Sequence, residues 1–589
     1  MSAHNKPLFS RLFLIVLVFV LSTANLSIAS PPQQSYIIQG EEMAVVAAQV
    51  EAYGGVITSE LEIIQGVAAD LDPSKAAQLA QQPGIAFVSP NGRLQGGALP
   101  VVETSDAQTR RKTPSADAPE VVGADYIWEQ GITGEGITIA IVDSGIANFA
   151  PLINDTGNQN RILAWKDLVQ NKKDPVDRNG HGTHLASIMV NSAEGSDGSY
   201  NGIAPNANLV VVRVLDKNGY SDYETVIKGI DWVVKHRDAY QIKVLNLSLT
   251  GEVVAPYWMD PLNRAVTNAW AEGITVVTCA GNSGPDPMTV SVPGNNPYAI
   301  TVGAFTDAYT PKDWTDDYLT SFSAAGPTQD AFIKPDLIAP GAHMLGMMGK
   351  NSTIAKEHEA NQVEDSRYFE MAGTSQASAV VSGIVALMYE QNPDLTPDEV
   401  KYRLMITSMP MIEGNVDPEQ AKANYSVFQQ GAGRVNAPDA VFATEGVDGH
   451  ANAGMDIRKD LADEEHYQGF AYYDEETATF GVTGVDNYED GYSVWDGGYG
   501  IWSGGFGIWS GGFGIWSGGF GIWSGGFGIW SGNYGLWDEP ILASSPTLMT
   551  MSLEQDQKNS LTPTGFDYLT LQSPNFSQYQ LSIDPWIDE

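Results

Sequence analysis

The sequence is poor in cysteine and in basic residues. Cys279 is the single cysteine among 589 residues, which excludes an internal disulfide framework. Lys and Arg number 31 against 71 Asp and Glu, so the formal net charge is −40 at pH 7. Nucleic acid and anionic membrane surfaces are therefore not expected as partners. A salt-tolerant or calcium-containing extracellular setting fits this charge better, and 43% hydrophobic residues suffice for a large core.

The N-terminus has an apolar run that is too short to span a membrane. This run, Leu12–Leu21, is about half of the ~20 residues that a spanning helix needs. Two basic residues precede it, and small residues follow at Ser27 and Ala29. This order predicts a secretory signal peptide over residues 1–29, with a membrane anchor as the alternative. We therefore expect a secreted, extracellular protein, either released or held at the cell surface.

Two folded units precede a long tail. Residues 36–95 alternate the strand-like runs "YIIQ", "GGVITSELEII" and "IAFVSP" with two helix-like stretches, which predicts a small ferredoxin-like α+β unit. From about Glu120 to Glu445, unbroken β-branched runs such as "GITIAIVD" and "LVVVRVLD" alternate with amphipathic helical stretches. Strands buried on both faces have this composition. The larger unit is therefore predicted to be α/β, a parallel sheet with helices on both faces.

The segment between the two units has the composition of a linker. From Gly96 to about Pro119 the chain is polar and contains the basic sequence "RRK", so we expect it to be exposed and open to cutting. The predicted boundaries are 1–29 for the signal peptide, 30–98 for the small unit, 99–118 for the linker, 119–445 for the α/β domain, 446–494 for an acidic region, 495–538 for Trp/Gly repeats and 539–589 for a C-terminal segment.

Four polar residues stand at the ends of predicted elements. Asp143 ends "TIAIVD", Asn282 follows "TVVTCAG", and His181 and Ser375 each open a predicted helix. Ligands of α/β sheets bind beyond the carboxyl ends of the strands. A serine nucleophile needs an adjacent base, and the base needs a buried carboxylate. Asn282 and the Ser375 backbone amide could supply donors to an oxyanion, so the set fits acyl transfer.

The stretch "NGHGTHLAS" contains His181 and His184, which would share one face of a helix. Three interpretations are a metal-binding pair, a general base beside a structural histidine, and two core histidines. A zinc site is disfavoured because the glutamate of H-E-x-x-H is missing and no third ligand is near.

Six segments together resemble one protein family. "IVDSG", "NGHGTHLAS", "CAGNSG" and "AGTSQAS", with "IKPDLIAPG" and "GAGRVNAPDA", resemble the subtilisin-like serine proteases, or subtilases. The chain order Asp, His, Ser is also theirs and differs from that of chymotrypsin-like and α/β-hydrolase enzymes. The resemblance covers about Val121 to Val441. Residues 36–95 separately resemble the inhibitor-type propeptide of the same family.

The resemblance implies a role for each of the four residues. Asp143 would orient His181, which acts as general base and then as general acid. Ser375 would attack the scissile carbonyl, and Asn282 would donate to the oxyanion. His184 would be a structural hydrogen-bonding residue.

The resemblance also implies how the protein is made and what it acts on. It implies a secreted serine endopeptidase that cleaves proteins or peptides and is made as an autoprocessed zymogen. Residues 30–98 would be its propeptide, with autocleavage in or after "SPNGRLQG" and inhibition in trans by the freed segment. Catalysis would need no cofactor, and structural calcium is expected without a ligand set that the sequence specifies.

The resemblance assigns substrate binding to two backbone edges and one pocket. The edges are Gly219–Asp222 and Ser248–Thr250, to which a peptide adds as a strand. The predicted substrate-binding residues are Gly219, Ser221, Ser248, Leu249, Ala280, Gly281, Ser283 and Ser291. The pocket is lined by Ala280–Asn282, Ser283 and Ser291. Since Ser283 and Ser291 carry no charge, the pocket favours a medium-sized neutral or apolar residue before the cut.

The sequence departs from the family pattern near the nucleophile. Gln376 and Ala379 replace the usual Met and Pro, and Leu185 and Ser187 replace the usual Val and Gly. We expect changed packing of the serine helix and of the leaving-group side, with the triad retained. Cys279 is predicted to be a buried, inert thiol.

The tail combines acidity with a tryptophan repeat. Residues 446–589 contain 21 acidic and three basic residues, and "GIWSGGF" recurs so that tryptophans from Trp495 to Trp537 fall every seven residues. The glycines exclude a coiled coil, and the odd period excludes a single extended strand. A disordered spacer remains one interpretation. The other is stacked short strands that bind polysaccharide, cell envelope or further copies of the chain.

Two further functional alternatives follow from these features. An inactive scaffold would lack a triad or oxyanion residue, and none is lost. A cell-surface assembly or binding protein, whose protease domain mainly processes itself, stays open. If the tail has no part in the chemistry, a chain ending at Glu445 should keep peptidase activity.

Overall fold

The structure, a computed structural model, describes residues 33–96, 114–363, 366–411, 423–469, 471–474 and 479–482, and the backbone of 99–100, 502–503 and 506–507. The predicted signal peptide, most of the linker and nearly all of the repeats lie outside the described residues. Among the residues that are described, no helix has the length and apolarity needed to cross a membrane.

The N-terminal unit is a four-stranded antiparallel sheet of order β2-β3-β1-β4 with two helices. Its elements are β1 (Gln34–Gly40), α1 (Met43–Ala52), β2 (Val56–Leu61), a 3₁₀ turn (Glu62–Ile64), β3 (Gly66–Leu71), α2 (Pro73–Leu79) and β4 (Ile85–Pro90). This order agrees with the predicted ferredoxin-like unit. Strand β3 is absent from the predicted runs because its sequence, "GVAADL", is low in β-branched and aromatic residues.

The two faces of this small sheet have different partners. Tyr36 and Ile38 point to the side where Val46 and Val50 of α1 pack. Ile37, between them in β1, points to the opposite side and joins the core of the larger unit. Successive side chains of a strand alternate between faces, so the sheet binds its helices on one side and the larger unit on the other.

The larger unit contains the remaining elements in the following order. Its first half comprises β5 (Arg93–Gly96), β6 (Leu99–Pro100), α3 (Ala118–Val121), α4 (Ala124–Glu129), β7 (Thr138–Asp143), α5 (Ala150–Ile153), β8 (Ile162–Asp167), α6 (His181–Val190), β9 (Asn208–Arg213), β10 (Tyr220–Asp222), α7 (Tyr223–Lys235), α8 (Arg237–Tyr240), β11 (Ile242–Leu247) and β12 (Leu249–Thr250). Its second half comprises α9 (Pro261–Ala271), β13 (Thr275–Cys279), β14 (Ile300–Thr306), β15 (Tyr318–Leu319), β16 (Leu337–Pro340), β17 (Met344–Met347), α10 (Thr353–Glu357), a 3₁₀ turn (Glu359–Asn361), β18 (Tyr368–Ala372), α11 (Thr374–Gln391), α12 (Pro397–Ile406), α13 (Val427–Gln430), α14 (Ala437–Phe442), α15 (Ile457–Leu461), β19 (Ala471–Asp474) and β20 (Thr479–Val482). Two-residue strands β21 (Trp502–Ser503) and β22 (Phe506–Gly507) pair within the repeats.

The central sheet has the order β15-β14-β13-β11-β7-β9-β8, with β16 beside β14. All its pairings are parallel except that of β15. Helices α6 and α11 pack together on one face, and α7 and α9 pack together on the other. Every residue of β7, β13 and β14 is buried, as expected for strands covered on both sides. The predicted α/β fold is confirmed.

The packed body continues past the predicted boundary at Glu445. The carboxylate of Asp460 accepts hydrogen bonds from the buried hydroxyls of Tyr257 at 2.7 Å and Tyr298 at 2.8 Å. Asp463 pairs with Arg264 at 2.6 Å. The sequence places the boundary too early because this segment is acidic, and its acids look solvent-exposed until their partners in the body are seen.

Candidate active site

The first part of the site joins the end of β7 to the start of α6. Asp143 is the last residue of β7 and is fully buried, and His181 is the first residue of α6 and is 2% exposed. Nδ1 of His181 lies 2.9 Å from each carboxylate oxygen of Asp143. The carboxylate therefore holds the ring with Nδ1 as the donor and Nε2 as the acceptor. Among the described residues, the buried Nε2 has no hydrogen-bond partner.

The glycine after His181 allows this approach. A Cβ added to Gly182 would lie 2.4 Å from the carbonyl oxygen of Gly145 and 3.0 Å from Oδ1 of Asp143. A side chain at this position would therefore push α6 away from the end of β7. The sequence "HGTH" places a glycine where the helix must touch the strand end.

The charge of His181 is set by burial and two carboxylates. Burial favours the neutral ring, but the charge of Asp143, its hydrogen bond and the charge of Asp177 act in the other direction. Their net effect raises the pKa of His181 above 6.5. Asp177 also accepts the backbone N–H groups of Gly180 at 2.8 Å and Thr183 at 3.0 Å, which fixes the start of α6. Sequence reasoning missed Asp177, although an aspartate shortly before a helix start is a capping signal.

His184 has a structural environment. Its Nε2 donates to the carbonyl oxygen of Phe369 at 3.0 Å, and burial lowers its pKa to about 4, so the ring is neutral. In the part of the chain that the structure describes, no group of three or more His, Cys, Asp and Glu residues could hold a metal ion. The two histidines therefore differ, one paired with a carboxylate and one with a backbone carbonyl.

The second part of the site is the start of α11. Ser375 is the second residue of this helix and is fully buried, with Oγ 3.5 Å from the carbonyl oxygen of Ser248. The Oδ1 of Asn282 accepts hydrogen bonds from the backbone N–H and the hydroxyl of Thr374, both at 2.9 Å. Because these donors fix the amide, its NH₂ end lies on the opposite side. The first N–H groups of α11 also lack acceptors within the helix and favour negative charge nearby.

A strand from the N-terminal segment lies in the cleft beside these residues. Strand β5 runs antiparallel between β10 and β12, forming a three-stranded sheet. Leu94 of β5 lies opposite Ser221, Gly96 lies opposite Leu249, and the N–H of Gly96 donates to the carbonyl oxygen of Gly219 at 3.0 Å. The two predicted substrate-binding edges thus both pair with a peptide strand.

The strand in the cleft passes directly by His181. A Cβ added to Gly96 would lie 3.1 Å from Nδ1 of His181 and 3.3 Å from Cδ1 of Leu215. The chain resumes as β6, in which Leu99 lies opposite Ala372, three residues before Ser375. The segment between Gly96 and Leu99 therefore connects the side of His181 with the strand that leads to Ser375.

The other predicted substrate-binding residues follow β11 or β13 in the chain. Ser291 Oγ donates to the carbonyl oxygen of Ala280 at 3.2 Å, and the N–H of Gly281 donates to Thr374 Oγ at 3.1 Å. Ser248 points its hydroxyl at Ser378 Oγ, 2.6 Å away, so its backbone is what faces the cleft. Ser283 is exposed.

Two residues that pack with Ala280 escaped sequence reasoning. Val290 and Ala324 form a buried apolar cluster with Ala280. Ala324 comes from a loop more than 40 positions along the chain, so only the fold shows the contact. No local pattern in the sequence indicates its position.

Cys279 and Gln376 are buried beside Ser375, the first in contact with it and the second next to it in the chain. Burial raises the pKa of the Cys279 thiol to about 11, against the opposing effect of hydrogen bonds with Ser375 and Thr374. The thiol is therefore protonated, as predicted for an inert cysteine. Gln376 is fully buried, and neither Oε1 nor Nε2 has a partner among the described residues.

Comparison with known proteins gives one consistent result. A family model for peptidase S8, described as the subtilase family, matches residues 134–433. The chain is 39% identical to serine protease AprX of Bacillus subtilis (strain 168) over 334 residues, which are 56% of this chain and 70% of that protein. It is 27% identical to subtilisin J of Geobacillus stearothermophilus over 411 residues, 68% of this chain and 92% of that protein.

A solved structure supports the same fold. The crystal structure of fervidolysin from Fervidobacterium pennivorans, a keratinolytic enzyme related to subtilisin, matches with a TM-score of 0.53 at 22% identity. The match covers 71% of this chain and 62% of that chain.

Proposed function

Because this chain belongs to the subtilase family and is a serine protease, we propose that it is a secreted endopeptidase acting through Asp143, His181 and Ser375. Proteins or peptides are the proposed substrates. The observation that carries this proposal is the peptide strand β5, which lies between β10 and β12 with Gly96 against His181. A strand in this position is bound in the way that a substrate backbone would be.

The proposed chemistry is acyl transfer followed by hydrolysis. Ser375 Oγ attacks the scissile carbonyl carbon while Nε2 of His181 takes its proton, and Asp143 stabilises the imidazolium through Nδ1. The NH₂ of Asn282 and the backbone N–H of Ser375 donate to the oxyanion. His181 then protonates the leaving amine. Water, activated by the same ring, hydrolyses the acyl-enzyme and frees Ser375.

We propose that residues 30–98 are an inhibitory propeptide. Three polar contacts support docking of its sheet face on the larger unit. Gln39 Nε2 donates to the carbonyl oxygen of Met259 at 2.7 Å, Glu62 pairs with Lys235 at 2.7 Å, and Ser59 donates to Glu224. The buried Ile37 adds apolar area to this interface. With β5 in the cleft, no second substrate strand can pair with β10 and β12 at once.

The position of the strand suggests where the propeptide is cut. Three peptide bonds link Gly96 to Leu99. Gly96 lies against His181, and Leu99 pairs with the strand that leads to Ser375, so we infer that the bond to be cut is one of these three. We propose the Gly97–Ala98 bond, which follows "SPNGRLQG" and lies one residue before the predicted end of the propeptide at 98. A glycine then precedes the cut, in place of the medium-sized residue expected from the sequence.

Structural calcium and the N-terminal signal are separate parts of the proposal. The order of basic, apolar and small residues in 1–29 supports export through a cleaved signal peptide. Structural calcium stays an expectation from the family resemblance. Among the described residues, no group of three or more His, Cys, Asp and Glu could hold a metal ion. The mechanism above has no step that uses calcium, and catalysis needs no cofactor.

A fluorophosphonate reagent tests the proposed activity, since only an activated serine reacts. The mature protein should be labelled on Ser375 and should cleave casein, and Ser375→Ala should do neither. Residues 30–97 added in trans should inhibit, with Leu94→Asp weakening inhibition because Leu94 is fully buried. We also propose that this segment assists folding, because a parallel sheet with many non-local contacts folds slowly; a mature chain that refolds equally fast without the segment would remove this role. Maturation without casein cleavage would favour the cell-surface assembly alternative.

A further inference from the structure

A pattern that begins in the strand of the cleft recurs in the tail. The chain contains seven Gly-Gly pairs, and in six of them a leucine or tryptophan stands two residues before the first glycine. One is Leu94-Gln95-Gly96-Gly97, whose first three residues are in β5. The other five are in the tail, where Trp-Asp-Gly-Gly occurs once and Trp-Ser-Gly-Gly four times. These five begin at Trp495, Trp502, Trp509, Trp516 and Trp523.

The structure gives a physical reason for the first three positions of this pattern. Leu94 is fully buried between the two edges, so its position selects an apolar side chain. Gln95 is exposed, so a serine or aspartate fits equally well there. At Gly96 a side chain would press on His181 and Leu215 at 3.1 Å and 3.3 Å, so glycine is preferred. The tail repeats satisfy all three requirements.

The apolar position has room because of a glycine on the opposite edge. A Cβ added to Gly251 would lie 2.5 Å from Cδ2 of Leu94. The missing side chain at Gly251 therefore makes room for the side chain at the position of Leu94, which is a tryptophan in the tail repeats. If Trp502 binds at the position of Leu94, β21 would pair with β10 and β12 and would no longer pair with β22.

We propose that the tail repeats are substrates of this cleft and that the enzyme trims its own tail after each Gly-Gly pair. The inference rests on the proposed function. The bonds cut are Gly498–Tyr499, Gly505–Phe506, Gly512–Phe513, Gly519–Phe520 and Gly526–Phe527. At each bond the glycine carbonyl is transferred to Ser375 Oγ and then to water, and the following aromatic residue becomes a new N-terminus. Successive cuts release the heptapeptide Phe-Gly-Ile-Trp-Ser-Gly-Gly.

The test uses the whole chain in both roles. Full-length Ser375→Ala protein, which cannot cut itself, serves as substrate for the mature wild-type enzyme, with casein digested in parallel. Mass spectrometry of the products should show new N-termini at Tyr499, Phe506, Phe513, Phe520 and Phe527 and the free heptapeptide. Casein cleavage with an intact tail, or cuts elsewhere in the repeats, would overturn the inference and leave the proposed function standing. Absence of casein cleavage would instead reject the proposed function.

Variants of one repeat supply matched controls within the same substrate. Gly504→Ala should slow cutting of the Gly505–Phe506 bond about tenfold, because the added methyl group displaces the strand from His181. Ser503→Ala should leave that rate unchanged, since the matching position is exposed. Cutting of the Gly512–Phe513 bond is the internal reference in both variants. Equal rates for Gly504→Ala and the unchanged repeat would contradict the proposed binding mode.

Discussion

Nδ1 of His181 lies 2.9 Å from both carboxylate oxygens of Asp143, although the two residues are 38 positions apart in the chain. The contact exists because the C-terminal end of β7 packs against the N-terminal end of α6, with Gly182 at the point of contact. It fixes the ring so that Nε2 is the proton acceptor. The proposed role of His181 as general base depends on this relationship.

The first prediction concerns pH. Only the neutral ring of His181 can take the proton of Ser375, so kcat/KM should rise with pH through the pKa of His181. That pKa is raised above 6.5, since the charges of Asp143 and Asp177 outweigh burial, and the midpoint of the acid limb should lie above 6.5 as well. Asp177→Asn removes one of these charges and should move the midpoint to lower pH. A midpoint below 6.5 in wild type, unmoved by Asp177→Asn, would contradict this account.

The second prediction concerns the oxyanion. Asn282→Ala should lower kcat by about 10²–10³, the range measured for the loss of one such donor in a subtilisin, with little change in KM. Asp286→Asn is the matched control, because Asp286 lies four positions further along the chain, is exposed and has no part in the proposed site, so that kcat should be unchanged. Steady-state kinetics on one peptide substrate measures both. A loss in kcat of less than about threefold for Asn282→Ala would mean that the amide does not contact the oxyanion.

The third prediction concerns the buried amide beside the nucleophile. Gln376 carries two polar side-chain atoms without a partner among the described residues, and a buried unpaired group costs about 1–3 kcal/mol. Gln376→Met has a similar volume and removes both groups. In the Ser375→Ala background, which prevents self-digestion, it should therefore raise the free energy of unfolding measured with denaturant. A clear decrease would show that the amide has a stabilising partner in solution.

The four proposed catalytic residues could be selected from the sequence for a local reason. Asp143, His181, Asn282 and Ser375 each stand next to a strand or helix end that the sequence pattern marks, and parallel strands bring such ends together. The position of β5 could not be predicted in the same way. Its partners, Gly219–Asp222 and Leu249–Thr250, are more than 100 positions away in the chain. The pairing is made by backbone groups, so the side-chain sequence contains no pattern that indicates it.

The end of the folded body also escaped prediction because it depends on distant partners. The acidic composition of 446–494 indicates solvent exposure, and only the fold shows that Asp460 accepts from Tyr257 and Tyr298. The earlier expectation for truncation must change accordingly.

The fourth prediction replaces the expectation that a chain ending at Glu445 keeps peptidase activity. Such a chain leaves Tyr257, Tyr298 and Arg264 without these partners, and each buried group left unpaired costs about 1–3 kcal/mol. We expect it to unfold at lower temperature and to lose activity, while a chain ending at Val482 keeps both. In the full chain, Asp460→Ala should destabilise more than Asp460→Asn, which keeps an acceptor. Equal thermal stability of the two truncated chains would show that the acidic segment adds nothing to the body.

The most direct test of the central claim is the N-terminus of the purified protein, read by sequencing and intact mass in wild type and in Ser375→Ala. The account holds that residues 93–96 occupy the cleft as the enzyme's first substrate and that Ser375 cuts the chain that follows them. It predicts a wild-type chain that begins at Ala98 and a Ser375→Ala chain that retains residues 36–97. A Ser375→Ala protein that also begins at Ala98 in the absence of any other protease, or an active wild-type enzyme that keeps residues 36–97 attached, would contradict it.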